Sequence, residues 1–133
     1  MINNKIFVVH GGLFAQDGVT LDDIRKTDRK GEPKDDGLLC EMLWSDPKEG
    51  VGRAPSKRGV GVAFGKDVTE NFLSTNGLDM IFRSHEMKEN GYEITHDGKY
   101  TFYFLIFTTE VLNLNVFIFE TKFAFKVIIR API

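Results

Sequence analysis

The chain of 133 residues, 42% hydrophobic and 27% charged, suffices for one small globular domain with a real core and is too apolar for a disordered one. Its net charge of -2 argues against a nucleic-acid binder, because nothing would neutralise a row of phosphates. The single cysteine, Cys40, excludes an internal disulfide and suits a reducing compartment, and no apolar run reaches the roughly 18 residues that a membrane-crossing helix needs.

In chain order the pattern alternates strand and helix. Residues 5–10 form an apolar run closed by Gly11 and Gly12, a predicted buried strand. Residues 20–27 read as a short helix, with Thr20 at the N-cap and Asp22 and Asp23 in the first turn, where negative charge suits the helix dipole. From Arg25 to Lys34 basic and acidic residues interleave, which predicts a solvated loop face. Gly37–Trp44 is a second helix candidate and holds Cys40 in an apolar run, so Cys40 reads as a buried structural thiol. Residues 59–64 read as a strand. Residues 67–76 read as a helix with Val68, Phe72 and Leu73 at helical spacing, stopped by Gly77. Residues 78–83 form a strand that delivers His85. Residues 92–96 and 99–104 are expected to pair as a hairpin across Asp97-Gly98. The composition then shifts: residues 99–133 hold seven of the 12 phenylalanines and no glycine, and the stretch around Val116 to Phe119 is strand-prone.

The candidate chemistry gathers where strands end. His10 and His85 each close an apolar strand, the place where functional groups collect in α/β folds. A neutral imidazole there can ligate a metal, or it can be hydrogen-bonded in the sheet rim. Gly11 and Gly12 would let backbone approach a bound ion or phosphate. Arg58, at a strand entry beside Gly59, offers a planar fork that matches phosphate oxygens, or is an ordinary loop cation. Trp44 reads as an anchor of a turn onto the core, with Asp46 fixing that turn. His96, ahead of a turn, is expected to be exposed. No Gly-x-Ser-x-Gly elbow supports a serine nucleophile.

Several segments in order carry a resemblance: Val9-His10-Gly11-Gly12-Leu13-Phe14, Asp22-Asp23-Ile24-Arg25-Lys26, Leu43-Trp44-Ser45-Asp46-Pro47, Ser56-Lys57-Arg58-Gly59-Val60, Phe64-Gly65-Lys66-Asp67-Val68-Thr69, Arg83-Ser84-His85-Glu86 and Gly91-Tyr92-Glu93. Together they resemble the phosphoprotein phosphatase family over about residues 5–99. The resemblance implies a fold of the α/β layered kind, part of a metallophosphatase-type β-sandwich flanked by helices. It implies a two-metal hydrolase, with manganese, iron or zinc, that removes phosphate from phosphoserine or phosphothreonine with a metal-activated water. His10 and His85 would ligate the same ion, Arg58 would bind substrate phosphate, and Trp44, Asp46, Glu86 and Met87 would line the substrate groove.

The family's Asp-x-His, Asp-Arg-Gly and Asn-His-Glu segments do not occur in these 133 residues. Residues 1–99 are therefore expected to be the C-terminal half of a calcineurin-like metallophosphatase catalytic domain, with at most one partial metal site and no activity alone. Residues 100–133 are expected to be a divergent hydrophobic tail, because the family's Pro-Asn-Tyr loop is missing from it. The alternative is a non-catalytic half-domain that binds phosphoproteins or a partner. Expected partners are a phosphoprotein and the missing N-terminal half or a chaperone, with no nucleic acid and no membrane, in the cytoplasm or nucleus.

Overall fold

The computed structural model describes residues 1–86 and 92–103. Two sheets share one core. The larger contains β1 (Ile6–Val9), β5 (Met80–Arg83), β6 (Tyr92–Thr95) and β7 (Tyr100–Tyr103) in the order β1-β5-β7-β6. β1, β5 and β7 run parallel, with Val9 opposite Arg83, and β6 pairs antiparallel to β7. The smaller contains β2 (Asp46–Pro47), β3 (Arg53–Pro55) and β4 (Val62–Phe64) in the order β2-β4-β3. Helices α1 (Leu21–Lys26), α2 (Gly37–Trp44) and α3 (Lys66–Asn76) fill the connections between β1 and β5. This mixed α/β layering agrees with the predicted class. No helix among the described residues is long and apolar enough to cross a membrane.

Local chemistry accounts for most elements. Thr20 caps α1 reciprocally: its hydroxyl accepts from the Asp23 N–H and its own N–H donates to the Asp23 carboxylate. α3 buries Val68, Thr69, Phe72 and Leu73 along one face and ends at Gly77, whose φ of 64° is left-handed. The Leu78 N–H then closes onto the Leu73 carbonyl at 2.9 Å. Asn76 ties the two helices together, donating to the carbonyls of Val19 and Phe72 at 3.0 Å and accepting from the Leu21 N–H at 2.8 Å. Asn76→Ala is expected to cost about 2 kcal/mol by urea denaturation, because the Val19 carbonyl and the Leu21 N–H lose their side-chain partner at once.

Phe7, Phe14, Phe64, Phe72, Ile81 and Tyr100 form the centre of the core, with the Phe72 ring 5.3 Å from Phe7 and the Phe64 ring 5.6 Å from Tyr100. Cys40 is buried as expected. Three expectations change. The strand predicted over 59–64 begins only at Val62, because Gly59 and Gly61 have φ of 80° and 68° and form a turn. β2 and β3, two and three residues long and each holding a proline, were not visible as strands. The hairpin at 92–103 turns through four residues, a 3-10 turn at His96–Gly98 followed by Lys99, rather than two. His96 is half-buried rather than exposed. That turn presses it between α3 and the loop after β2, where its ring nitrogens lie 2.8 Å from Thr69 Oγ1 and 3.3 Å from the Lys48 carbonyl oxygen.

The second hairpin strand expected over residues 99–104 is present as β7. Tyr100 is fully buried on β7, between β5 and β6. Residue 104 and the segment beyond it, including the strand-prone stretch around Val116 to Phe119, lie outside the described residues.

Candidate functional site

β1 and β5 run parallel and end side by side, so the residues that follow them meet. The Ser84 N–H donates to the His10 carbonyl at 3.3 Å. Just beyond, His10 Nε2 and His85 Nδ1 face each other at 2.8 Å. His85 adopts a φ of 76°, rare for a residue with a side chain, and this turn swings its ring toward His10. His10 Nδ1 is 3.2 Å from Ser84 Oγ, a partner for the outer nitrogen. His85 Nε2 is buried without a hydrogen-bond partner among the described residues. Burial holds the His85 pKa below the usual histidine value, and the positive charges of Arg58 and Arg83 add to this, which favours the neutral ring.

The glycines after His10 serve packing rather than approach to an ion. A Cβ on Gly11 would lie 2.5 Å from the Leu43 carbonyl carbon, and one on Gly12 would overlap the Phe64 ring and the Ser45 carbonyl. The end of α2 occupies that space. The Gly11 N–H donates to the Met42 carbonyl at 2.7 Å, and the Gly11 carbonyl accepts from the Tyr100 hydroxyl at 3.2 Å. The backbone next to His10 is thus held from both sides.

Trp44 does not anchor a turn in the core. The residue is 41% exposed, and its ring stands edge-on 5.7 Å from the His85 ring. Asp46, on β2, pairs with two arginines rather than simply fixing a turn. One carboxylate oxygen accepts from Arg58 Nε at 2.7 Å, and the other from Arg83 at 2.8 Å. Arg83 also donates to Glu86 at 2.8 Å. Burial acts to raise the Asp46 pKa, but the hydrogen bonds from Arg58 and Arg83 outweigh it, and the carboxyl is held below its ordinary value. A carboxylate depressed in the fold contributes stability that is fully present above its unfolded pKa, near 3.8, and is lost as the pH falls through the folded value. Thermal midpoints measured from pH 6 to pH 2 should therefore drop below about pH 4, and Asp46→Asn should flatten that part of the curve.

His10, His85 and Trp44 thus stand together, and Asp46, Arg58 and Glu86 form a charged group beside them. Met87 lies outside the described residues. A polar cleft of about 750 Å³, bordered by Lys48, Lys66, Glu86 and His96, shares only Glu86 with the predicted groove residues that are described. Sequence reasoning passed over Arg83, although a lone charge closing the apolar strand Met80–Arg83 is itself a signal.

The donor set bears on a metal. Two imidazole nitrogens bonded to one ion at about 2.0–2.1 Å and at a right angle are about 2.9 Å apart, close to the separation found here. The pair fits two neighbouring ligand positions. Among the described residues no group of three or more His, Cys, Asp or Glu is placed to hold an ion.

Comparison with known proteins gives a consistent answer. The chain is 64% identical over 99 residues to serine/threonine-protein phosphatase 5 of Solanum lycopersicum, covering 74% of this chain and 18% of that protein. The Homo sapiens serine/threonine-protein phosphatase 5 is 57% identical over 98 residues, covering 74% and 20%. The chain therefore spans about a fifth of the length of these curated relatives. Among solved structures, a protein serine/threonine phosphatase of Saccharomyces cerevisiae, described as similar to human phosphatase PP5, superposes with a TM-score of 0.73 at 44% identity, over 77% of this chain and 32% of that one. The family model described as calcineurin-like phosphoesterase matches residues 1–89, so the chain, with two histidines converging at the ends of parallel strands, belongs to the calcineurin-like phosphoesterase family.

Proposed function

We propose that this chain supplies part of the active site of a serine/threonine protein phosphatase. His10 and His85 are two ligands of one divalent ion (manganese, iron or zinc), and Arg58 binds the phosphate of a phosphoserine or phosphothreonine substrate. Trp44, Asp46 and Glu86 border the groove for the substrate chain. The observation that carries the reading is the 2.8 Å approach of His10 Nε2 and His85 Nδ1. The likeness to phosphatases named for that activity supports it.

When bound, such an ion lowers the pKa of a coordinated water and polarises a phosphoryl group. The chain's own residues do the rest. Parallel β1 and β5 fix the two imidazoles, the Gly11 contacts hold the His10 backbone, and Asp46 orients the Arg58 fork. Two imidazoles fall short of the three protein ligands that catalytic metal sites use, so residues 1–99 act as the C-terminal half of a catalytic domain whose other half supplies the remaining ligands. Residues 100–133 are, on this reading, a divergent tail whose start has been taken into the sheet. The physiological partners are a phosphoprotein and the polypeptide, or a chaperone, that completes the domain. The compartment is the cytoplasm or nucleus.

Two measurements test this. Inorganic phosphate should bind the 133-residue chain, and Arg58→Ala should weaken binding about tenfold or more, since a hydrogen bond to a charged group is lost. With manganese and a phosphoserine peptide the chain alone should release no phosphate above the metal blank. Sustained manganese-dependent turnover would contradict the incomplete site, and undiminished phosphate binding by Arg58→Ala would contradict the role of Arg58.

A further inference from the structure

Arg83 is the last residue of β5, and its side chain is fully buried. Along that strand Ile81 and Arg83 point to the same side, so the guanidinium follows Ile81 into the interior. A charge there persists only when paired. Its two terminal nitrogens take different carboxylates: Nη2 donates to Asp46 on the other sheet, and Nη1 donates to Glu86 just past His85, each at 2.8 Å. Asp46 passes the arrangement on to Arg58 at 2.7 Å. The order Glu86, Arg83, Asp46, Arg58 alternates in sign and sums to zero charge.

Two consequences meet at the site. The Arg83–Glu86 pair closes a loop of four residues whose interior is Ser84 and His85, and so brackets the left-handed His85 backbone. The Arg83–Asp46 pair fixes the carboxylate that aims the Arg58 fork. We propose that Arg83 is the positioning residue of the site, setting both the His85 ring and the Arg58 guanidinium from beneath without touching substrate. This rests on the phosphatase reading of His85 and Arg58. A lysine in its place offers one point charge rather than a fork, and cannot hold both carboxylates in the same geometry.

The test uses the full 133-residue chain and the arginine side-chain resonances in NMR. In the wild type, Arg83 should show separate, slowly exchanging Nη protons, because two carboxylates stop its rotation. Averaged Nη protons like those of a free guanidinium would overturn the proposal whatever the variants do. Arg83→Lys should keep the Ile81 and Phe64 core signals, expose the Arg58 Nε proton to exchange and weaken inorganic phosphate binding about tenfold or more. A folded Arg83→Lys chain with the Arg58 Nε proton still protected and phosphate affinity unchanged would also overturn it. Arg58→Ala separates the two readings. If it leaves phosphate affinity untouched, the phosphate role of Arg58 fails, while the dependence of the Arg58 Nε proton on Arg83 still decides the positioning role.

Discussion

Replacing Gly11 with alanine is expected to cost about 3 kcal/mol or more of stability and to separate His10 from His85. The added methyl would meet the Leu43 carbonyl carbon at 2.5 Å, its oxygen at 2.6 Å and the Trp44 nitrogen at 2.7 Å. These are backbone atoms at the end of α2, so no side-chain rotation relieves the clash. Either α2 shifts, breaking the 2.7 Å bond from the Gly11 N–H to the Met42 carbonyl, or the residue after His10 shifts. The first moves Trp44 relative to His85, and the second moves His10. Urea denaturation measures the cost, and the chemical shifts of the two imidazoles report the separation. An alanine variant of wild-type stability with unshifted imidazoles would mean that the close packing of α2 on this loop is not what holds the site.

The second large effect is at Tyr100. Its ring lies in the core against Phe64, and its hydroxyl donates to the Gly11 carbonyl at 3.2 Å. Burial pushes the phenol pKa well above its ordinary value, so the group remains a protonated donor over the whole range in which the protein folds. Tyr100→Ala removes a fully buried ring and should cost about 4 kcal/mol, enough to abolish the cooperative transition of a marginal domain. Tyr100→Phe keeps the ring and should cost about 1 kcal/mol, the worth of one hydrogen bond. If the two variants were equally destabilised, the hydroxyl rather than the ring would be the important part. Chains ending at Lys99 and at Tyr103 extend the test: the shorter one loses β7, which separates β5 from β6, and should fail to fold.

Much of this was legible in the sequence because it rests on local chemistry. Thr20 and Gly77 mark the start of α1 and the end of α3 within a residue, since caps and left-handed stops are chosen by residue type. His10 and His85 were identifiable from their place after apolar strands. What stayed hidden depends on neighbours far along the chain. Gly11 and Gly12 looked like room for a ligand, and only the approach of α2 and Phe64, 30 or more residues later, shows what fills that room. Asp46-Pro47 and Arg53-Ala54-Pro55 are too short for a period-two pattern, and they become strands only because Val62–Phe64 lies between them. His96 seemed exposed because a turn usually is, yet this turn folds onto Thr69 and Lys48. Arg83 shows the same limit in energetic form. A charge in an apolar strand is an anomaly by pattern, and it becomes intelligible once Asp46 and Glu86 are seen to share it.

The most direct measurement on the site is a titration of the 133-residue chain with Mn²⁺ while the histidine ring protons are followed by NMR. The account predicts that the His10 and His85 signals broaden together at the same metal concentration and that His96 stays sharp. It also predicts that His10→Ala abolishes the broadening at His85. Broadening of His10 alone, of acidic side chains only, or of His85 undiminished in the His10→Ala chain would contradict a shared metal position at the ends of β1 and β5.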